Sequence, residues 1–395
     1  MSSVSNTKTF APAKRIEQVS EYYFSKKLRE IAALNAEGRD IISLGVGGPD
    51  RPPHESVIER LCAESRNPSN HSYQSYVGIP ELRSALSAWY KKTYGVEADA
   101  VKEILPLIGS KEGIMHITMA FVNAGDGVLI PNPGYPTYPA VSKLAQAEVF
   151  TYDLSEEGDW MPDFEALEKL PLERIKLMWV NYPNMPTGRN GSRELFEKLV
   201  AFARKHSIIV INDNPYSLIL NPEPISIMQV EGAKECCIEL NSLSKSHNLA
   251  GWRVGMLTTN ATFLEWILRV KSNVDSGMFK PLQLAASEAL ALGEDWNKEL
   301  NGVYASRREI AAEIMAELDC TYDEKQVGLF LWGRIAESDL SAEAVCDRVL
   351  DDARVFITPG FIFGSQGDRY VRISLCATEE RMREALDRIR AAKIK

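Results

Sequence analysis

The chain is as informative in what it lacks as in what it carries. No apolar run approaches the roughly 18 residues that a bilayer-spanning helix requires. The polar opening MSSVSNTKTFAPAKR has no apolar core of the signal-peptide kind. A basic stripe is missing: the formal net charge is -9, whereas phosphate backbones select for clustered Lys and Arg, which argues against nucleic acid as the main partner. Cysteine is sparse. The six thiols, Cys62, Cys236, Cys237, Cys320, Cys346 and Cys376, show no metal-ligand spacing, so free thiols in a reducing compartment are expected. Repeats and low-complexity tracts are absent, and so is the Gly-rich loop with Gly-Lys-Ser/Thr that cradles nucleotide phosphates. What these absences lead one to expect is a cytoplasmic, enzyme-sized globular chain: 395 residues, 45% of them hydrophobic, suffice for two domains. A small anionic ligand stays compatible with the acidic balance, because one local pocket can be positive.

The segment EYYFSKKLREIAALNAEG places Phe24, Leu28, Ile31 and Leu34 near helical spacing and ends at Gly38, a plausible C-cap. From there to about residue 290, short β-rich runs alternate with helical stretches. The runs are EILPLIG, GVLIPNP, IKLMWVNYPN, HSIIVINDNPY, CCIELNSLSK and RVGMLTT; the helical stretches include IPELRSALSAWYKKTYG, SKEGIMHITMAFVNAG and SRELFEKLVAFARKH. Continuous apolar strands between helices predict an α/β fold, with a mostly parallel sheet covered by helices on both faces. Beyond residue 290 the texture changes to GLFLWGRI, SAEAVCDRVLDDA, VFITPG, RYVRISLC and TEERMREALDRIRAAK, which predicts a smaller α+β domain. The division expected is a large domain over 51–290, and a small one combining 1–50 with 291–395.

In a parallel sheet ligands bind beyond the carboxyl ends of the strands, so polar residues just after each strand are the candidates. Asp213 ends SIIVIN, with Tyr216 three residues later; a carboxylate there is costly unless a cation or donors face it. Read alone it is a loop cap. Asn184 follows a strand in NYPNMPTG, alone no more than a turn. Gly109, Ser110 and Lys111 open a helix whose N–H groups can hold an anion, although small residues there are usually caps. Tyr135 follows another strand end, where an aromatic more often packs as core. In SLSKSHNLAGWRVG, Lys245 sits among hydroxyls and Arg253 between glycines. Together these residues match what a phosphorylated pyridine aldehyde needs: an amine, a carboxylate for the ring nitrogen, donors for the phenolate oxygen, an aromatic over the ring and an anion cradle.

At this point the chain resembles the fold-type I pyridoxal-phosphate enzymes, specifically the class I/II aminotransferases. Ser242, Ser244, Lys245, Leu249, Gly251, Arg253 and Gly255 fit the family's lysine-site signature, and the other motifs follow in family order from GVGGPD to YVRIS. The resemblance implies pyridoxal 5'-phosphate as cofactor, with Lys245 attaching it covalently and shuttling the proton at the substrate α-carbon. It also implies that Asp213 holds the ring nitrogen protonated, Asn184 and Tyr216 bond the phenolate oxygen, and Tyr135 stacks on the ring. Ser110, Lys111 (chiefly through its backbone), Ser242, Ser244 and Arg253 surround the phosphate. Tyr73 reaches the phosphate of a neighbouring subunit, which implies a homodimer with shared active sites. Arg372 clamps the substrate α-carboxylate, for which its planar fork is suited, with Gly47, and Asn184 beside it, against that carboxylate. Read alone, Arg372 is a surface strand residue.

Two departures stand out: Met185 replaces a second asparagine, and DNPY replaces the commoner Asp-Glu-x-Tyr. SNVDSGMFKPLQLAA is similar to the alanine and LL-diaminopimelate aminotransferase-like branch. The activity implied is a ping-pong transfer of an amino group from an L-amino acid to a 2-oxo acid, through pyridoxamine phosphate. The rivals are a carbon-sulfur β-lyase or carbon-carbon bond-forming enzyme on the same scaffold, a ligand-sensing regulator, and a non-catalytic binding protein.

Overall fold

Residues 10–336 and 340–394 are described by the computed structural model. The first strand is β1 (Ile42–Ser43). Seven more form the main sheet: β2 (Ile104–Leu107), β3 (Gly127–Asn132), β4 (Glu148–Asp153), β5 (Ile175–Val180), β6 (Ile209–Asn214), β7 (Cys237–Ser242) and β8 (Gly255–Thr258). Their order is β2-β8-β7-β6-β5-β3-β4. Only β8 runs against its neighbours, so the sheet is mostly parallel, as the alternation of strands and helices predicts. Alternate residues enter opposite cores: Leu177 and Trp179 of β5 pack on one face, Met178 and Val180 on the other. All four are fully buried, each contributing about 1.5–3 kcal/mol of hydrophobic stabilisation.

The apolar-run reading does not flag β4. Its sequence, EVFTYD, buries only Tyr152, as suits an edge strand.

A second sheet, all antiparallel, has the order β12-β13-β10-β9. Its strands are β9 (Cys320–Thr321), β10 (Phe330–Ile335), β12 (Thr358–Pro359) and β13 (Tyr370–Ser374). The remaining strand, β11 (Val355–Phe356), pairs in parallel with β1, joining the segment after the first long helix (Tyr23–Ala36) to the C-terminal part. In that helix Phe24 and Ile31 are buried, while Leu28 is 43% exposed. Leu28 faces a cavity rather than a core.

Candidate active site

The parallel strands β5, β6 and β7 all deliver their carboxyl ends to one cavity of about 560 Å³. Buried apolar strands fix the backbone there, and polar residues at or just past the strand ends, Asn181, Asp213 and Ser242, line the space left. From β6 comes Asp213. Tyr138 Oη donates to its Oδ2 at 2.9 Å, and Tyr138 is itself held by stacking on Trp179. Oδ1 is buried and finds no hydrogen-bond partner among the described residues. Burial pushes the Asp213 carboxyl up to about 6, against the lowering effect of the Tyr138 hydroxyl. A half-satisfied carboxylate of this kind calls for a cationic donor on its open side.

From β7 the chain enters a single helical turn, Leu243–Ser246, capped by Ser242, whose hydroxyl accepts from Ser244 N at 3.2 Å. That turn aims Lys245 Nζ across the cavity at the Gly47 carbonyl, to which it donates. Burial lowers the Lys245 pKa, and Arg372 and Arg253 act in the same direction, opposed by the Cys376 thiol. Arg253 donates to Ala250 O at 2.9 Å and to Ser244 Oγ at 3.3 Å. It lies over Gly109, where a Cβ would come within 2.1 Å of Nη2, so only glycine lets the guanidinium rest on the start of the helix Ser110–Phe121. The result is an anion cradle: helix N-terminal N–H groups, two serines and a guanidinium.

The opposite wall comes from the second sheet and the N-terminal segment. Arg372 on β13 is buried, its guanidinium carbon 3.9 Å from the Phe330 ring centroid and 4.6 Å from that of Phe363. Nη2 donates to Gly45 O at 2.8 Å, Nη1 to Met185 Sδ at 3.1 Å, and Nε finds no partner among the described residues. Burial brings its pKa down to about 10. Tyr216 packs edge-on against Phe330, and Gly47 has no room for a side chain, since a Cβ would meet Phe330 Cζ at 2.1 Å.

Ser110, Lys111, Tyr135, Asp213, Tyr216, Ser242, Ser244, Lys245, Arg253, Gly47 and Arg372 thus share one cavity. Two of the residues singled out in the sequence stand apart. Asn184 does not line the cavity: its Oδ1 is taken by Thr187 N at 3.2 Å and Thr187 Oγ1 at 2.8 Å, which closes the turn after β5. Its Nδ2, the donor that a phenolate oxygen would require, is buried and finds no partner among the described residues. From that strand end the lining residues are Asn181, which donates to the Asp213 carbonyl, and Met185. Tyr73 is 90% exposed and lines no part of its own chain's cavity.

Several further residues line the cavity without having stood out as site candidates in the sequence: Tyr22, Phe24, Ser25 and Leu28 from the first long helix and its entry, Tyr138, Phe330 and Phe363. Only Tyr138 carried a usable signal, its spacing of three from Tyr135 in GYPTYPA. The aromatics around Arg372, Phe24, Phe330 and Phe363, lie on three separate elements and give none.

The residues present fit a phosphorylated pyridine. The open Oδ1 of Asp213 suits a protonated ring nitrogen, the cradle suits a phosphate dianion, and Lys245 and Tyr135 line the same cavity. Fold and site together define a fold-type I pyridoxal-phosphate enzyme. The family model described as aminotransferase class I and II matches residues 39–389, and the chain belongs to that family. It is 41% identical over 383 residues to the LL-diaminopimelate aminotransferase of Maridesulfovibrio salexigens, covering 96% of this chain and 98% of the relative. A protein of the same name from Halothermothrix orenii is 40% identical over 385 residues, 97% of this chain and 99% of the relative. Among solved structures, apo-BacF from Bacillus subtilis superposes with a TM-score of 0.93 at 34% identity, over 97% of this chain and 98% of that one. The protein is a pyridoxal-phosphate-dependent transaminase, moving an amino group from an L-amino acid to a 2-oxo acid by a ping-pong route.

Proposed function

We propose that this transaminase takes as amino donor an amino acid carrying a second carboxylate at its far end, with LL-diaminopimelate as the best substrate. The observation that carries this is Lys111. Its backbone belongs to the anion cradle, which leaves the side chain free. Nζ stands at the cavity wall 4.8 Å from the Tyr22 ring centroid and 6.0 Å from that of Tyr135. Partial burial and Arg253 hold its pKa below the ordinary lysine value. A second cation on the wall of the same cavity as Arg372 suits a substrate with a second carboxylate, and the relatives named above carry LL-diaminopimelate in their name.

Bound pyridoxal phosphate supplies a carbonyl carbon for the substrate nitrogen and a ring that draws electrons from the α-carbon. Around it, Arg372 and the Gly47 backbone hold the substrate α-carboxylate, which orients the α-hydrogen toward Lys245. Lys245 Nζ, whose pKa burial lowers, takes that proton and returns it on the other side of the reaction. Asp213 keeps the ring nitrogen protonated, Tyr216 donates to the phenolate oxygen, and Tyr135 covers the ring. Ser110, Ser242, Ser244 and Arg253 hold the phosphate.

The exposed Tyr73 fits a homodimer in which it reaches the partner's phosphate. The pairing of β1 with β11 supports a small domain made of 1–50 and 291–395, against a large domain over 51–290. No helix among the described residues is long and apolar enough to cross a membrane. The closest cysteine sulfurs, Cys236 and Cys237 at 3.8 Å, are both thiols, in keeping with a cytoplasmic setting.

The test is a donor panel read as kcat/KM. LL-diaminopimelate should exceed L-norleucine by at least about 100-fold, and Lys111→Met should lower the first without changing the second. A monocarboxylic donor at the top of the panel would overturn the assignment.

A further inference from the structure

The loop that begins at β1 and the strand that carries Arg372 are the two sides of the proposed carboxylate grip. They are tied along their length. Ser374 N donates to Leu44 O at 2.7 Å, and Ser374 Oγ donates to Val46 O at 2.9 Å. Arg372 itself reaches Gly45 O. Past Gly47 the loop leaves β13, and one further residue closes the arrangement.

That residue is Arg307, in the middle of the long helix Glu294–Glu317. Its guanidinium makes a two-pronged bond to Asp50, Nη1 to Oδ1 and Nη2 to Oδ2, each 2.7 Å. Nη1 also donates to Leu375 O at 3.0 Å. Asp50 lies three residues after Gly47, and Leu375 three residues after Arg372. One buried side chain therefore spans both elements, and its bonds to Asp50 are charge-assisted, about twice as strong as neutral ones. The guanidinium has the planar fork that a carboxylate and a carbonyl can share, which lysine lacks. Neither Arg307 nor Asp50 lines the cavity.

We infer that Arg307, paired with Asp50, is a positioning residue for substrate-carboxylate binding: it fixes the distance between Gly47 and Arg372 without touching the substrate. The inference rests on the carboxylate-holding role proposed above for Gly47 and Arg372. It separates two kinds of ligand. A substrate with an α-carboxylate needs the spacing to be right, whereas a primary amine that reacts with the cofactor but has no carboxylate does not.

The experiment uses the holoenzyme and variants Arg307→Gln, Arg307→Lys and Asp50→Asn. For each, KM and kcat for the amino acid are measured beside the cofactor's visible absorbance and the half-reaction rate with n-hexylamine. Arg307→Gln is expected to raise KM by about 10- to 100-fold, with cofactor content and the n-hexylamine rate unchanged. Arg307→Lys should recover part of the loss. Asp50→Asn keeps the side-chain shape and should give the same split at smaller size, which covers the case in which Arg307→Gln fails to fold. Equal losses with the amino acid and with n-hexylamine, or no change in KM, would overturn the inference. Arg372→Lys is run in parallel. If it too leaves the preference for carboxylate-bearing donors unchanged, the reading of Arg372 falls and this inference with it; if only Arg372→Lys abolishes that preference, the Arg307 clamp alone is wrong.

Discussion

The two walls of the cavity are built on different plans. On the cofactor wall each group sits within a few residues of a buried strand end: Asp213 on β6, Ser242 at the end of β7 and Lys245 after it, Ser110 after β2. On the substrate wall, Phe24 and Gly47 near the start of the chain meet Phe330, Phe363 and Arg372 from nearly 300 residues later, gathered by the second sheet and the first long helix. The first plan holds chemistry on a rigid sheet. The second holds specificity on elements whose spacing depends on one another. The walls should therefore fail differently when altered: damage to the first should appear in kcat, damage to the second in KM.

The largest effect belongs to Lys245→Ala. On the proposed roles it removes both the attachment point and the proton carrier, so turnover should fall by at least about 10⁴-fold. Absorption spectra of the purified variant should show bound cofactor without the band of the covalently attached form. Full retained activity would remove the cofactor wall from the comparison altogether.

Asp213→Asn comes next, with a kcat loss of about 10²- to 10³-fold, the size seen when a preorganised charge partner is lost. It also carries a pH signature. In the protein without cofactor, the Asp213 carboxyl is raised from 3.8 to about 6. The folded state thus binds a proton that the unfolded chain has released, and stability falls as pH rises from about 4 to about 6. The loss is on the order of 3 kcal/mol. A protonated ring nitrogen against Oδ1 offsets that loss. Cofactor loading should therefore raise Tm more at pH 7.5 than at pH 5, and this difference should shrink in Asp213→Asn. An equal difference in the variant would assign the pH effect to other groups.

The unequal legibility of the walls has the same origin. Strand-end chemistry is local: SLSKSHNLAGWRVG places Lys245, two serines and Arg253 within one short stretch, so the sequence alone brings them together. The parallel sheet was legible for a related reason, since strands covered on both faces read as continuous apolar runs, and only the half-exposed β4 escaped. The Arg372 surroundings carry no such mark. Phe330 and Phe363 look like ordinary core, and Leu28 reads as one position of an amphipathic helix, although its exposure belongs to the cavity. The turn after β5 shows the limit from the other side: NYPNMPTG makes the turn visible, but not which of its side chains reach the cavity wall. Asn181 and Met185 do, while Asn184 accepts from Thr187 through Oδ1 and keeps an unpartnered Nδ2.

Met185 gives the smallest and sharpest test of the division, because it lies at the seam. It follows β5 of the cofactor wall, yet its sulfur accepts from Arg372 Nη1 of the substrate wall. A thioether is a weak acceptor, so it steadies the guanidinium without competing with a carboxylate for the same hydrogens. Met185→Leu keeps the volume nearly constant and removes only that bond, a change cores tolerate at less than about 1.5 kcal/mol. If Met185 belongs functionally to the substrate wall, KM for the amino acid should rise by less than about tenfold while kcat stays within about twofold. A fall in kcat at constant KM would move Met185, and the boundary between the two walls, to the other side of Arg372.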